Sequence, residues 1–475
     1  MRRLSLLFAL FVCTAAVSWA QDPLDGAAWG IYARDISGKV LGARSENTRM
    51  VPASNIKLVT TGAALHALGP DFRFRTGIGY SGQIGPDGTL EGDVYIMGGG
   101  DPTIGAKDSL ALRADALFWK WKTILKSNGI ERIHGRIIGD GSSWEGGLEH
   151  IEWSYSDIAT YYGTGVNGLC FYENAIDVTV SPTKEGEPVA MNQTYPETPW
   201  MNVSNYSVTG PAGSGNSLYM FTTDLAPYAE LRGTFGLDRA PKVENASNKY
   251  GDLTCAYYFW KNLRDTGWEV TGGYARVDRG GYVCGPDFVP QDKASAPVQL
   301  GFTESPALKD IARIANRRSD NFYAESIFRA MGEVSSGIAS YDSSLVALNV
   351  VLEDLGANPS KAVIVDGSGL SRKNAVSPKW MVDYLDAMRG SSAFPAFIAT
   401  LPAPGEGTLS VVRVPEGVSV KMKSGSMEGV MCYSGYILDA TGSPAVVFSA
   451  FATNANASSS ALRAALIQKI SKFAP

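Results

Sequence analysis

The sequence has few histidines and cysteines, and this scarcity narrows the chemistry open to it. Its 475 residues include three histidines (His66, His134 and His150) and five cysteines. No two cysteines have Cys-x-x-Cys spacing, and no histidine clusters with a cysteine, so nothing predicts a structural metal site. We therefore expect no metal and no other cofactor.

The sequence also has no excess of positive charge. The net charge is -5, and it becomes -7 without Arg2 and Arg3. A negative chain argues against nucleic acid or an anionic membrane as the main partner. After the first twenty residues no segment is apolar enough to span a bilayer, so we expect peripheral membrane association at most. With 45% hydrophobic and 19% charged residues, the chain is expected to bury large cores.

Residues 1–20 are typical of a secretory signal peptide. Arg2 and Arg3 precede an apolar run over 4–17, and small residues stand at positions 18 and 20, where a signal peptidase reads the chain. About 455 residues then remain, which suggests more than one domain. Four cysteines survive in this exported chain, and Cys255 and Cys284, which flank one β-rich segment, are a candidate disulfide pair.

A serine and a lysine stand three residues apart in "VPASNIKLVTTGAALHALG", residues 51–69. The apolar run after Pro52 predicts a helix that begins near Ser54, and Lys57 then lies on the same face. A serine nucleophile needs a base. His66 is three turns away and the other histidines lie in the middle segment, so Lys57 is the candidate base. Its pKa must then fall from about 10.4 through burial and nearby cations.

Two further short motifs follow in order. "SDN" at 319–321 begins a helical run, and "KSG" at 423–425 lies in a strand-like segment. Each pattern is weak alone, because a serine can be a helix cap and a lysine can sit on an exposed strand. "SPTK" at 181–184 also matches Ser-x-x-Lys, but its proline predicts a turn. Three motifs in order, each on the expected element, favour serine acyl transfer.

Motifs of this kind are the signature of penicillin-binding proteins and β-lactamases. The sequence resembles the low-molecular-mass class C penicillin-binding proteins, D-alanyl-D-alanine carboxypeptidase/endopeptidases of the penicillin-binding protein 4 type, with Ser424 in place of the usual threonine. "GGGDPT" at 98–103, "DGSGLSR" at 366–372 and "SGY" at 434–436 also match that family. The resemblance covers essentially the whole mature chain.

The resemblance implies a multidomain α/β (α+β) fold with nested domains. A β-lactamase/transpeptidase-like catalytic domain, an antiparallel sheet flanked by helices, would comprise 21–73 and 296–475. A largely β inserted domain would comprise 74–100 and 174–295, with a second one, 101–173, nested within it. The polar segment "QDKASAPVQ" at 291–299 is the predicted linker back to the catalytic domain.

The resemblance also implies a role for each site residue. Ser54 would attack the carbonyl between two D-alanines, and Lys57 would take its proton. Ser319 would relay a proton to the leaving amine, and Asn321 would bind the substrate's peptide. Lys423 would place positive charge beside the nucleophile and help to keep Lys57 neutral.

The remaining implied residues bind substrate. Ser424, Gly425 and Ser426 would hold the terminal carboxylate, with the N–H groups of Ser54 and Ser426 as the oxyanion hole. An acid and an arginine suit the zwitterionic end of a diaminopimelate side chain. The matching residues here are Asp157, Tyr162 and Arg372.

The expected substrates are peptidoglycan muropeptides in the periplasm, and β-lactams are expected as covalent inhibitors. One alternative is a β-lactamase, for which "EDLGAN" at 353–358 is a faint match to the loop that carries the class A glutamate. The other alternative is a non-catalytic sensor of peptidoglycan or penicillin. The intact set of catalytic residues argues against a sensor.

Overall fold

The structure is a computed structural model that describes residues 22–474, so the predicted signal peptide lies outside the described residues. None of the helices in this range is long and apolar enough to cross a membrane. The α-helices of the described chain are α1 (Ile56–Leu68), α2 (Ala114–Ser127), α3 (Gly251–Asp265), α4 (Leu308–Arg317), α5 (Asn321–Ser336), α6 (Tyr341–Asp354), α7 (Pro378–Arg389), α8 (Phe394–Thr400) and α9 (Ser459–Ser471).

The strands of the same range form six sheets. They are β1 (Ala28–Asp35), β2 (Val40–Arg44), β3 (Arg75–Tyr80), β4 (Gln83–Ile84), β5 (Thr89–Glu91), β6 (Val94–Met97), β7 (Arg132–Ile133), β8 (Ile137–Asp140), β9 (Ala175–Ser181), β10 (Ala190–Tyr195), β11 (Asn202–Asn205), β12 (Val208–Gly210), β13 (Tyr219–Thr222), β14 (Tyr228–Arg232), β15 (Thr234–Gly236), β16 (Lys242–Ser247), β17 (Tyr274–Val277), β18 (Tyr282–Cys284), β19 (Pro290–Lys293), β20 (Val298–Glu304), β21 (Ser419–Met427), β22 (Val430–Leu438) and β23 (Pro444–Thr453).

A five-stranded antiparallel sheet joins the two ends of the chain, in the order β2-β1-β23-β22-β21. Its central strands are buried on both faces, because helices cover each side. On β22, Cys432 and Tyr436 face the core shared with α1 and α4–α8, whereas Tyr433 and Ile437 face the core shared with α9. This alternation follows the two-residue period of a strand. The sheet flanked by helices agrees with the predicted catalytic fold.

Helix α1 runs through the centre of the larger core, and its residues 56–65 are buried. It contacts α4, α5, α6 and α8, so apolar side chains are needed all around it. The burial of α1 takes Lys57 out of water. The amphipathic helix α9 packs instead on the other face of the sheet through Leu462, Leu466 and Ile470.

A seven-stranded sheet forms the middle of the molecule, in the order β19-β18-β17-β8-β6-β3-β20. Helices α2 and α3 pack on it around Trp121 and Phe259. The sheet contains strands from both 74–100 and 101–173, which the predicted domain boundaries separate. The strands between 175 and 247 form smaller sheets with a core of their own. The division of the chain into domains stays a prediction.

The candidate disulfide between Cys255 and Cys284 is not formed, and all four described cysteines are free thiols. Cys255 is buried on α3 in the core of the seven-stranded sheet. The Cys284 thiol on β18 instead lies 3.6 Å from a carboxylate oxygen of Asp278. The two cysteines thus pack in different surroundings, although they flank one segment of sequence.

Candidate active site

Ser54 and Lys57 are in hydrogen-bond contact at the start of α1. Ser54 lies on a short 3-10 turn, Ala53–Asn55, that leads directly into the helix. The Lys57 Nζ atom is 3.1 Å from the Ser54 Oγ atom. Lys57 is fully buried, whereas Ser54 is partly exposed and faces a cavity. The pair therefore has the geometry that a serine nucleophile and its base require.

Burial is the main cause of the shifted pKa of Lys57, which is lowered from 10.5 to about 8. Three carboxylates, of Glu325, Asp320 and Asp366, oppose this shift because they favour the ammonium form. With a pKa of about 8, roughly one Lys57 side chain in ten is neutral at pH 7. Lys57 can therefore accept a proton near neutral pH.

The second motif, residues 319–321, lies where α4 is joined to α5 and also contacts the Lys57 amine. The Asn321 side-chain oxygen accepts a hydrogen bond from Lys57 Nζ at 2.6 Å. The side-chain amide nitrogen of Asn321 donates to the Tyr162 carbonyl oxygen at 2.8 Å. The neighbouring Ser319 has a left-handed backbone, with φ of 59°, which is rarely adopted by residues other than glycine.

The third motif supplies a second buried amine. Lys423, on β21, donates to the Ser319 Oγ atom at 2.8 Å and to the Ser424 carbonyl oxygen at 2.7 Å. Burial, together with the like charge of Lys57, lowers the pKa of Lys423 well below its usual value. Repulsion between two like charges is mutual, so each amine disfavours the charged form of the other. That Lys423 helps to keep Lys57 neutral stays a prediction.

Glycines allow the elements of the site to approach one another. A Cβ atom on Gly425 would lie 2.7 Å from the Pro52 carbonyl oxygen and 2.8 Å from the Asn55 side-chain nitrogen. A Cβ atom on Gly369, where φ is +81°, would lie 2.0 Å from the Ala53 carbonyl oxygen. Strand β21 and the loop at 366–371 can therefore pack directly against the turn that carries Ser54.

A cavity of about 590 Å³ opens in front of Ser54. Its walls include residues from the first two motifs, Ser426 directly after the third motif, and a segment near residue 157. Burial raises the pKa of the Asp157 carboxyl, and the charge of Arg372 acts in the opposite direction. The Tyr162 hydroxyl donates to the same carboxyl at 3.3 Å. The predicted residues that line the cavity are Ser54, Asp157, Tyr162, Ser319, Asn321, Arg372 and Ser426.

The other predicted residues lie just behind these walls. Lys57 and Lys423 are buried beneath Ser54 and Ser319, and Gly425 is buried against the turn. The Ser424 hydroxyl lies 2.7 Å from the Thr408 hydroxyl. The structure thus brings every predicted site residue into one neighbourhood.

Sequence reasoning missed the acidic groups beneath Lys57. The two carboxylate oxygens of Glu325 accept hydrogen bonds from the N–H groups of Gly367 and Ser368. The Ser368 carbonyl oxygen in turn accepts from Lys57 Nζ at 2.7 Å. Glu325 is fully buried, and burial together with the charge of Asp366 raises its pKa. The sequence signal for this group is a glutamate four residues after Asn321, on the face of α5 that is buried.

None of the histidines in the described range, 22–474, lines this cavity. His66 hydrogen-bonds with Asp354 and Ser391 at the far end of α1, and His134 with Glu91 and Glu269. Within that range no three His, Cys, Asp or Glu residues are placed to hold a metal ion. The basic side chain in contact with Ser54 is that of Lys57.

Comparison with known proteins identifies the family of the chain. The model of the D-Ala-D-Ala carboxypeptidase 3 (S13) family matches residues 14–472. The D-alanyl-D-alanine carboxypeptidase of Actinomadura sp. (strain R39) is 30% identical over 434 residues, which are 88% of this chain and 76% of the relative. D-alanyl-D-alanine carboxypeptidase DacB of Haemophilus influenzae is 25% identical over 442 residues, 88% of this chain and 84% of that one.

A solved structure shows the same fold. The crystal structure of penicillin binding protein 4 (dacB) from Haemophilus influenzae superimposes with a TM-score of 0.79 at 23% identity, covering 94% of this chain and 97% of that one. The matched family model spans nearly the whole sequence. The chain belongs to the D-Ala-D-Ala carboxypeptidase 3 (S13) family.

Proposed function

We propose that this protein is a serine D-alanyl-D-alanine peptidase that acts on peptidoglycan stem peptides through an acyl-enzyme on Ser54. One observation carries the proposal. The Ser54 hydroxyl, at the cavity wall, lies 3.1 Å from the buried Lys57 amine, whose pKa is lowered to about 8. A weak nucleophile thus has a partly neutral base within reach.

The first step forms an ester and releases an amine. The Ser54 oxygen bonds to the carbonyl carbon of the penultimate D-alanine, and its proton passes to Lys57. The carbon–nitrogen bond then breaks, and Ser319 relays a proton to the leaving amine. The proton that Lys57 took from Ser54 replaces the one that Ser319 gives up, so Lys57 is neutral again for the second step. The contact of Lys423 with the Ser319 hydroxyl supports this relay, because it holds that hydroxyl in place.

The second step restores the enzyme. A water molecule, deprotonated by Lys57, adds to the ester carbon, and the Ser54 oxygen leaves with that proton. In both steps the N–H groups of Ser54 and Ser426 hold the carbonyl oxygen, and each such donor lowers the barrier by roughly 3 kcal/mol. β21 is the edge strand of its sheet and lies against the Ser54 turn, which supports this role for Ser426.

Substrate recognition is divided between two walls of the cavity. Ser424 and Ser426, with the Lys423 amine behind them, receive the terminal carboxylate. Asp157, Tyr162 and Arg372 receive the amine and carboxylate at the end of a diaminopimelate side chain. The effect of the Arg372 charge on the Asp157 carboxyl supports this pocket, since one acid and one arginine suit a zwitterion.

We further propose that the protein acts in the periplasm, after cleavage of residues 1–20, and that β-lactams acylate Ser54. The complex of the H. influenzae penicillin binding protein 4 with a β-lactam supports the second point (TM-score 0.74, 22% identity, 94% and 96% of the two chains). Trimming of terminal D-alanine and cleavage of cross-links both fit this mechanism.

The β-lactamase alternative needs an additional base for fast deacylation. Glu353, in the segment with a faint class A resemblance, is exposed near the end of α6 and does not line the cavity with Ser54. The geometry therefore favours the peptidase.

The proposal is tested by D-alanine release from a purified pentapeptide muropeptide, measured beside penicillin labelling. Wild type should release D-alanine and be labelled, and Ser54→Ala should lose both. Ser181→Ala, in the second Ser-x-x-Lys sequence, is the matched control and should retain both. Labelling of Ser54→Ala, or absence of D-alanine release by wild type, would overturn the assignment.

A further inference from the structure

A second cavity adjoins the catalytic one on the Ser319 side. It has a volume of about 440 Å³. Glu173, Asp320, Gly407 and Thr408 line this cavity but not the first. Ser54, Asp157 and Arg372 line only the first. The walls common to both are Tyr161, Tyr162, Arg318, Ser319 and Asn321.

The second cavity lies where the leaving residue of the substrate would sit. Ser319, which hands a proton to the leaving amine in the proposed mechanism, lines it directly. Thr408 also lines it and hydrogen-bonds with Ser424, which receives the carboxylate of the same leaving residue. A D-alanine would place only a methyl group here. The remaining volume is large enough for a much longer side chain.

The charges around the second cavity favour a nitrogen donor. Arg318 pairs with Glu173 at 3.1 Å, with Asp320 at 3.2 Å and with Asp108 at 3.6 Å. One guanidinium therefore faces three carboxylates, and negative charge is in excess. The Glu173 side chain is only 12% exposed.

The surroundings of Glu173 also allow a nearby cation to change the ionisation of its carboxyl. Burial, with the charge of Asp320 next, raises its pKa to about 7, while Arg318 and Lys107 act in the opposite direction. An ammonium group arriving beside it would favour the ionised form. Residues 172–174 hold this side chain with three successive positive φ angles, an arrangement that costs free energy.

We propose that the second cavity is a leaving-group subsite for D-amino acids with a long side chain ending in a nitrogen donor, an ammonium group in the simplest case. Glu173 is its specificity-determining residue. This inference rests on the proposed function, because it assumes that Ser319 and Ser424 contact the leaving residue. It adds that the enzyme selects what it releases as well as what it acylates.

The test compares three peptides with the same acyl part and different leaving residues: D-alanine, D-lysine and D-norleucine. D-Norleucine has the length of D-lysine without the ammonium group, so the ratio of their kcat/KM values isolates its charge. We expect wild type to prefer D-lysine about tenfold, as one charge-assisted contact provides. Glu173→Gln keeps the side-chain shape and should bring the ratio to within twofold of one. Glu185→Gln, on an exposed turn, should leave the ratio unchanged.

The outcomes separate this inference from the proposed function. A wild-type ratio near one, or a Glu173→Gln ratio equal to that of wild type, would overturn the subsite while D-alanine release still supports the peptidase. Release of none of the three residues by wild type would overturn both. Labelling of Glu173→Gln by benzylpenicillin at the wild-type rate shows that its catalytic site is folded, so a changed ratio then supports the subsite.

Discussion

At the scale of single residues, the protonation of Lys57 governs the chemistry. Its amine contacts Ser54, Asn321 and the Ser368 carbonyl, and burial lowers its pKa to about 8. In the proposed mechanism, the neutral form of Lys57 is the active base. Below pH 8 its fraction falls about tenfold for each pH unit.

The kcat/KM for D-alanine release should therefore rise with pH and level off above about pH 8. Lys57→Arg should lower it by at least ~10³-fold at every pH, since a guanidinium stays protonated. Lys184→Arg, in the second Ser-x-x-Lys sequence, is the matched control and should follow the wild-type profile. A Lys57→Arg enzyme that keeps the wild-type pH profile would show that another group is the base.

Arg372 should discriminate between substrates. Arg372→Ala should reduce kcat/KM on a diaminopimelate pentapeptide roughly tenfold or more, because the side-chain carboxylate loses a charge-assisted partner. A peptide with an uncharged, acetylated side chain should change less than twofold. Arg113→Ala, which removes an exposed arginine, should affect neither peptide. The assignment of this pocket would be wrong if Arg372→Ala had the wild-type kcat/KM on both peptides.

At the scale of elements, the site depends on how closely β21 approaches the turn that carries Ser54. Gly425 makes this approach possible, as a Cβ atom there would lie 2.7 Å from the Pro52 carbonyl oxygen. The approach sets the distance between the two proposed oxyanion donors. A shift of about 1 Å in such an arrangement can cost 10²-fold in rate.

Gly425→Ala should therefore slow acylation of Ser54 by benzylpenicillin about 100-fold, measured by rapid-quench mass spectrometry. Near-ultraviolet circular dichroism should still show the folded protein, because β21 keeps its pairing with β22. Ser419→Ala, at the exposed start of the same strand, is the control. Acylation of Gly425→Ala at the wild-type rate would mean that this close approach is not needed for catalysis.

Elements with regular patterns could be predicted from the sequence, and edge strands could not. Helix α1 is predicted from its apolar run, and β21 from the strand-like segment that contains "KSG". The predicted linker at 291–299 instead overlaps β19 and β20, the two edge strands of the seven-stranded sheet. Their side chains are mostly exposed, so their polar composition resembles that of a linker.

The candidate site could also be predicted only in part. The pairing of Ser54 with Lys57 follows from the sequence, because three residues on a helix bring two side chains to the same face. Glu325 and Asp366 belong to other elements, far along the chain, and only the tertiary fold brings their charges close to Lys57. Single-residue patterns carry no information on such contacts.

At the scale of the whole molecule, a buried arginine fastens the segment 144–166 to α5. Arg329 is 1% exposed and donates to the backbone carbonyls of Val166 and Ala339 at 2.8 and 2.7 Å, and also to those of Glu145 and Gly147. The same segment carries Asp157 and Tyr162 into the cavity. We therefore expect the proposed diaminopimelate pocket to depend on this attachment.

Arg329→Met should remove these four hydrogen bonds and destabilise the fold by roughly 3 kcal/mol, seen as a lower Tm. Chymotrypsin should then cleave within 144–166 faster than in wild type, and diaminopimelate peptides should lose more activity than penicillin acylation does. Arg313→Met, a half-exposed arginine on α4, is the control. Unchanged proteolysis of Arg329→Met would show that other contacts hold the segment.

The central claim, a peptidase acting through Ser54, is tested most directly by a mass-spectrometric time course of the mature protein with benzylpenicillin. We predict a single adduct on the peptide that contains Ser54, which persists after free penicillin is removed, from a preparation that releases D-alanine from a muropeptide. A short-lived adduct with rapid loss of penicillin and no D-alanine release would contradict the account and indicate a β-lactamase.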